Sequence, residues 1–224
     1  MIKKTYVISD IHGCLEEFNN VLTQVNFNNE EDKLICLGDV CDRGSNVKGC
    51  IDRLMQIKNL VYITGNHDLW TLQFLTKKID KYAEESWWKH GGEKTMQSFK
   101  GIDTTPYVEF LSQAKPYYID EENRCFVHGG FDTNFPIESQ SIESLVWDRE
   151  LYEEARYVES CGFKDKISTY KEIYCGHTPT QYIDDKDIPL NFLNLWCIDT
   201  GVVYKGKLTI MDVNTKEFWQ VNKL

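Results

Sequence analysis

No run of about 18 apolar residues occurs in this chain, which leaves no candidate for a membrane-spanning helix. The opening Met1-Ile2-Lys3-Lys4-Thr5 passes straight into a strand-like segment without a long apolar leader, so a cytoplasmic protein is expected. A basic excess is missing too. Twenty-five Lys and Arg face 35 Asp and Glu for a formal charge of -10, which argues against duplex nucleic acid as a partner. There is no C-x-x-C pair among the eight cysteines, so neither a zinc knuckle nor a disulfide framework is indicated. Core filling is the expected role of Cys36, Cys125, Cys175 and Cys197, whereas Cys41, inside a polar loop, is read as open to oxidants. Internal repeats, low-complexity tracts and Pro/Gly/Ser linkers are also absent. Histidine is scarce, with only five residues.

What remains is the composition of a globular enzyme-sized chain, 224 residues with 42% apolar and 27% charged. One domain spanning 1–224 is expected. Apolar β-branched runs at Thr5 to Ile8, Lys33 to Leu37 and Leu60 to Thr64 read as buried strands. Leu15, Phe18, Leu22 and Val25, then Val47, Cys50, Ile51 and Leu54, fall at helical spacing between them. A β-α-β-α-β start implies a parallel sheet with right-handed crossovers. Leu69 to Ile79 reads as a third helix. From about 80 to 115 the pattern is helical but irregular, with Trp87, Trp88, His90 and Gly91-Gly92, and is read as a helical cap over the site. Six strand-like runs follow, at Pro116 to Ile119, Arg124 to Val127, Glu172 to Cys175, Leu193 to Ile198, Lys207 to Val213 and Glu217 to Val221. Two packed sheets flanked by helices would accommodate both halves.

Polar groups suited to metal ions stand where those strands end, the usual place for an active site in open α/β sheets. Asp10 and His12 are two apart and can converge on one ion. Asp39 closes the next strand, and its two oxygens can bridge two ions. Asn66 offers an amide oxygen, and His128 and His177 follow two later strands. Mixed oxygen and imidazole donors suit manganese, iron or zinc better than calcium. Four of the five histidines share this Gly-flanked, post-strand position, and only His90 does not.

The ordered set Asp10-x-His12-Gly13, Gly38-Asp39-x-x-Asp42-Arg43-Gly44, Gly65-Asn66-His67, His128-Gly129 and Gly176-His177 resembles the calcineurin-like metallophosphoesterases. It is most similar to the branch of phosphoprotein phosphatases, small bacterial and phage serine/threonine phosphatases and symmetrical dinucleoside tetraphosphatases. The resemblance runs from Asp10 to Ile198-Asp199-Thr200-Gly201. It implies a four-layer α/β/β/α sandwich of two mixed sheets. It also implies two divalent metals, one on Asp10, His12 and Asp39 and the other on Asp39, Asn66, His128 and His177. Three departures stand out: Ser9 where many relatives have glycine, Asp68 where glutamate is usual, and no S-A-P-N-Y-like segment after His177. Trp87-Trp88-Lys89-His90-Gly91-Gly92 resembles a W-x-x-N-G-G element of small bacterial members, with His90 at the asparagine position, and the element, Trp87 through His90, is expected to roof the site and face substrate.

Two cations about 3.5 to 4 Å apart would acidify a bridging water to hydroxide for in-line attack on phosphorus. Arg43 is suited to fork phosphate oxygens, and Arg149 resembles the family's second phosphate-binding arginine. His67, oriented by Asp42, is the candidate proton donor to the leaving oxygen. Expected substrates are phosphoserine or phosphothreonine in proteins. The alternative is symmetrical hydrolysis of a dinucleoside tetraphosphate, with cap aromatics stacking on the base. A non-catalytic metal- or nucleotide-binding module would have lost one of these groups, and every such position is filled.

Overall fold

In the computed structural model, residues 2–223 are described. The first sheet has β1 (Thr5–Ile8), β2 (Lys33–Cys36) and β3 (Asn59–Tyr62) in parallel, linked by α1 (Leu15–Gln24) and α2 (Val47–Met55). After α3 (Asn66–Leu75), α4 (Lys81–Trp87), α5 (Glu93–Ser98) and α6 (Thr105–Ser112), the second sheet begins with β4 (Tyr117–Ile119) and β5 (Arg124–Val127). Helices α7 (Ile142–Trp147) and α8 (Glu150–Ser160) lead to β6 (Glu172–Cys175), and α9 (Thr180–Asp184) to β7 (Leu190–Phe192) and β8 (Leu195–Cys197). The chain then returns to the first sheet as β9 (Lys207–Asp212) and β10 (Phe218–Asn222). Strand orders are β10-β9-β1-β2-β3 and β4-β5-β6-β8-β7. Both sheets are mixed, because β9, β10, β4 and β7 pair antiparallel around the parallel strands.

The alternation of each strand sorts the core into layers. Val7, Ile35, Phe126, Tyr174 and Met211 meet between the sheets, Phe126 and Tyr174 stacking at 4.9 Å between ring centroids. Their neighbours point the opposite way: Tyr6, Ile8, Leu34 and Cys36 against α1 and α2, and Cys125, Val127, Ile173 and Cys175 against α7 and α8. Period-2 side-chain direction thus makes every central strand apolar on both faces, the continuous hydrophobic run seen in the sequence. The architecture is the expected helix-sheet-sheet-helix sandwich. A buried Arg124 on β5 fastens one sheet to the other, bonding Asp120 at 2.6 Å and Asn214, in the β9–β10 turn, at 2.7 Å.

Some expectations shift. Helix α3 begins at Asn66 rather than Leu69, so the Gly65-Asn66-His67-Asp68 motif forms its first turn instead of a loop before it. Phe99, Tyr107 and Leu111, within the segment read as a cap, pack into the outer core of the first sheet. Cys41 is wholly buried rather than open to oxidants; all eight cysteines are free, and Cys161 is the exposed one.

Candidate metal centre and phosphate site

The parallel strands of both sheets deliver their carboxyl ends to one place. Asp10 and His12 follow β1, Asp39 follows β2, Asn66 follows β3, His128 follows β5, His177 follows β6 and Asp199 follows β8. Here the backbone leaves the strand sharply. Asp10, His12, Asp39, Asp42, Arg43 and His177 all have positive φ, between 46° and 70°. Such conformations cost side-chain-bearing residues about 1 kcal/mol or more each, and they gather where the surrounding structure enforces them for function. Asp68 supplies much of that enforcement. Buried in the first turn of α3, its two oxygens accept the backbone N–H groups of Asp39, Val40, Cys41 and Gly65 at 2.7 to 3.0 Å. The shorter carboxylate at this position therefore ties the Asp39 loop directly to the helix.

The histidines are aimed inward. His12 Nδ1–H donates to the Cys41 carbonyl at 2.7 Å and His128 Nδ1–H to the Leu37 carbonyl at 2.8 Å, since a carbonyl can only accept. That leaves both Nε2 atoms toward Asp39, 3.6 Å from its Oδ2 and 3.5 Å from its Oδ1, respectively. His128 Nε2 also lies 3.1 Å from the Asn66 amide oxygen. Backbone carbonyls that fix the outer nitrogen are the usual means of orienting an imidazole ligand. His177 is different: its Nε2 is buried with no hydrogen-bond partner, while its backbone N–H reaches Asp10 Oδ2 at 3.1 Å. Asp10 also accepts the Ser9 hydroxyl. Two sets of donor atoms, one from Asp39, His128 and His177 and one from His12, Asp39 and His67, each lie within 4.8 Å of one another.

Charge balance is strained in a way that cations would relieve. Burial, offset in part by the positive charge of His128 and reinforced by Asp39, raises the Asp10 carboxyl to about 6. Burial drives Asp199 upward as well, with Asp10 and Asp39 adding to it. Burial also opposes ionisation of Asp39, but His128, His67 and His12 around it hold that carboxyl well below the usual carboxylate range. His177 is lowered to about 2 by burial and by the His128 and Arg149 charges. An unpartnered imidazole nitrogen, two like-charged carboxylates and an amide oxygen form a donor set that fits divalent metal ions.

Around these groups lies a cavity of about 370 Å³ lined by Asp10, His12, Asp39, Asn66, His177, His67, Arg43, Arg149 and His90. His128 sits behind Asp39, fully buried, and Asp42 sits behind His67, also fully buried. The His67–Asp42 pair is intact, with Nδ1 2.6 Å from Asp42 Oδ2. His67 Nε2 meets Arg43 Nη2 at 3.0 Å, so this imidazole is partnered at both nitrogens, unlike His177. Arg43 lies on the Tyr204 ring, its guanidinium carbon 4.9 Å from the centroid, and donates to the Tyr204 hydroxyl. Arg149 donates to Thr178 at 2.6 Å.

Several lining residues escaped the sequence reading: Trp70, Trp147, Tyr182, Tyr204 and Asp199. Trp70 was accessible in principle, because it lies one helical turn after His67 and packs on its ring at 5.3 Å. Tyr204 carries no such signal; it arrives on a short 3-10 turn, Val202–Tyr204, between Gly201 and Lys205 at positive φ. The expectation that Trp87 faces substrate is overturned. Trp87 is fully buried, stacks on Phe74 at 4.4 Å and points its indole N–H at Asp42 Oδ1, 3.0 Å away. Of the stretch from Trp87 to Gly92, only His90 lines the cavity, its Nδ1–H held by the Ser86 carbonyl at 2.7 Å.

Comparison with known proteins agrees with this geometry. A profile of the family described as Calcineurin-like phosphoesterase matches residues 3–204, and the chain belongs to that family. It is 25% identical to serine/threonine-protein phosphatase 1 of Salmonella typhimurium over 215 residues, 93% of this chain and 91% of that protein. It is also 25% identical to the asymmetrical bis(5'-nucleosyl)-tetraphosphatase PrpE of Bacillus thuringiensis over 229 residues, covering 92% and 88%. A crystal structure provisionally described as a diadenosine tetraphosphatase superposes with a TM-score of 0.70 at 17% identity, covering 99% of this chain and 94% of that one, which speaks to fold alone. The protein is a metal-dependent phosphoric ester hydrolase. Among the described residues no helix is long and apolar enough to cross a membrane.

Proposed function

We propose that the chain hydrolyses phosphate monoesters, with phosphoserine and phosphothreonine in proteins as the leading substrates, and that residues 1–224 act as one unit, the insertion of about 80–115 reaching the cavity through Ser86 and His90. The observation that carries this reading is the convergence of six donor residues, two arginines and a carboxylate-oriented histidine on one cavity. Asp10, His12 and Asp39 would hold one divalent cation and Asp39, Asn66, His128 and His177 the other. Bound there, such ions would supply positive charge for phosphoryl oxygens and acidify water to a nucleophile near neutral pH. Manganese is the proposed metal, with iron or zinc compatible with the same donors. A cytoplasmic location belongs to the same proposal, and eight free cysteines are compatible with a reducing compartment.

The chain's own groups do the rest. Arg43 and Arg149 grip the phosphate from two sides, and their planar forks suit its oxygens better than lysine would. An incoming phosphate is a stronger partner for Arg43 than the imidazole it touches, so binding frees His67 Nε2 to take up a proton from water and to face the leaving oxygen. Asp42 keeps the other nitrogen, Nδ1, protonated and the ring in place, leaving Nε2 to deliver the proton. Trp147 and Tyr182, which line the cavity, are exposed, so the cavity opens to solvent on their side.

Dinucleoside tetraphosphate hydrolysis is the second reading, favoured by one observation: Trp70, Trp147, Tyr182 and Tyr204 present rings along the cavity. Flat bases stack on such surfaces. Symmetrical cleavage was expected from the sequence, whereas the Bacillus relative's name specifies asymmetrical cleavage. A panel of manganese-loaded protein on phosphopeptide and diadenosine tetraphosphate, with products separated, decides between them. Higher kcat/KM on phosphopeptide supports the leading reading, and higher kcat/KM on the dinucleotide overturns it.

A further inference from the structure

Trp87 and Thr95 reach the same oxygen of Asp42 from either side of the break between α4 and α5. Asp42 has 0% exposure and lies outside the cavity wall, behind His67. Its Oδ2 receives His67 Nδ1–H at 2.6 Å. Its Oδ1 receives the Trp87 indole N–H at 3.0 Å and the Thr95 hydroxyl at 2.6 Å, while Thr95 Oγ1 accepts the Asp42 backbone N–H at 2.9 Å. We propose that Trp87 and Thr95 are positioning residues for proton transfer, holding the Asp42 carboxylate so that His67 presents Nε2 to the leaving oxygen. The proposal rests on the phosphoesterase reading above, with His67 as the proton donor.

The local geometry supports a positioning role over simple filling. Rotation of an aspartate carboxylate about its last torsion is soft, so nothing intrinsic to Asp42 fixes which oxygen meets His67. Two donors on Oδ1 remove that freedom. Both donors are themselves fixed. Thr95 is fully buried, and the Trp87 indole is clasped between Phe74 and Gly92, where an added Cβ would lie 2.5 Å from ring carbons Cδ2 and Cε2. Trp87 at the end of α4, Gly91 at the break and Thr95 in α5 all address the Asp42–Arg43 corner. At the break, Gly91 has φ 108° and its carbonyl accepts the Arg43 N–H at 3.4 Å. A Cβ at Gly91 would stand 2.7 Å from that nitrogen, which reserves the position for glycine. The helical insertion is thereby part of the proton-transfer apparatus. In the step itself His67 gives its Nε2 proton to the leaving oxygen as the P–O bond breaks, keeps its Nδ1 proton on Asp42, and is reprotonated from water.

The test compares phenyl phosphate, a poor leaving group, with 4-nitrophenyl phosphate, a good one. Thr95→Val and Trp87→Phe each remove one donor while keeping a buried side chain of similar shape. Expected for each is a fall of about tenfold or more in kcat on phenyl phosphate with KM within about threefold, and a distinctly smaller fall on the nitro compound. Thr95→Ser, which restores the hydroxyl, is expected to recover turnover to within about threefold. In a His67→Asn background neither substitution is expected to lower kcat further by more than about twofold, because the group they position is gone. Equal losses on both substrates, or the same loss persisting in His67→Asn, overturn the proposal. Wild-type protein inactive on both phosphates would overturn the phosphoesterase reading instead, and His67→Asn with undiminished turnover would overturn the proton-donor assignment.

Discussion

At the scale of single residues, proximity to the site does not decide role; the partners of each atom do. His67 stands next to Asn66 and falls within one of the donor sets, yet Asp42 and Arg43 occupy both of its ring nitrogens. His67→Asn is therefore expected to retain metal and lose about 10²- to 10⁴-fold in turnover on poor leaving groups, less on aryl phosphates. Elemental analysis beside kinetics on both substrates checks it. Arg43→Ala and Arg149→Ala should each lower kcat/KM on phosphopeptide and dinucleotide alike, since both substrates present the same phosphate, with metal content unchanged. A loss confined to one substrate would show that the arginine reads something other than the phosphate. Asp68→Ala strands four backbone N–H groups in the interior. A cost of about 3 kcal/mol is expected in denaturant unfolding, together with weaker metal binding as the Asp39 loop slackens.

At the scale of elements, the residues that end strands were readable because their chemistry is unlike anything a core needs. Asp10, His12, Asp39, Asn66, His128 and His177 interrupt apolar runs, and the structure brings all six to one centre. The aromatic wall was not readable. Trp70, Trp147 and Tyr204 come from two helices and a 3-10 turn, and only tertiary folding makes them neighbours of the same space. Trp87 was misread for a related reason: an aromatic in an irregular helical stretch has the same local signature whether it roofs a cavity or donates a hydrogen bond in the interior. Short elements escaped as well. Strand β7 has three residues and α9 has five, too few for a period to register. The break between α4 and α5 yields a prediction of its own. Gly91→Ala forces a Cβ against the Arg43 backbone and gives up a positive φ. It should destabilise the protein by roughly 1 kcal/mol or more and raise KM for phosphate esters, as read by thermal unfolding and steady-state kinetics. An unchanged KM would mean that the insertion does not locate Arg43.

At the scale of the whole molecule, two sheets pack face to face so that parallel strands from each end at one shared edge. The central strands' apolar runs and the polar residues following them are two expressions of this plan: a sheet buried on both faces can offer chemistry only where its strands stop. Burying Asp10, Asp39 and Asp199 there is tolerable only if positive charge is supplied; without it His128, opposed by burial, is pushed up to about 9 by Asp39 and Asp10, a proton that a bound cation would displace when His128 becomes its neutral ligand. The central claim is that divalent metals supply that charge and turnover depends on them. Its most direct test is to strip the protein with chelator, titrate manganese back, and measure bound metal and phosphatase turnover in the same samples. Turnover is expected to vanish in the stripped protein and to rise to a plateau as about two metals bind per chain. Full turnover in a preparation holding fewer than about one metal per chain would contradict the claim.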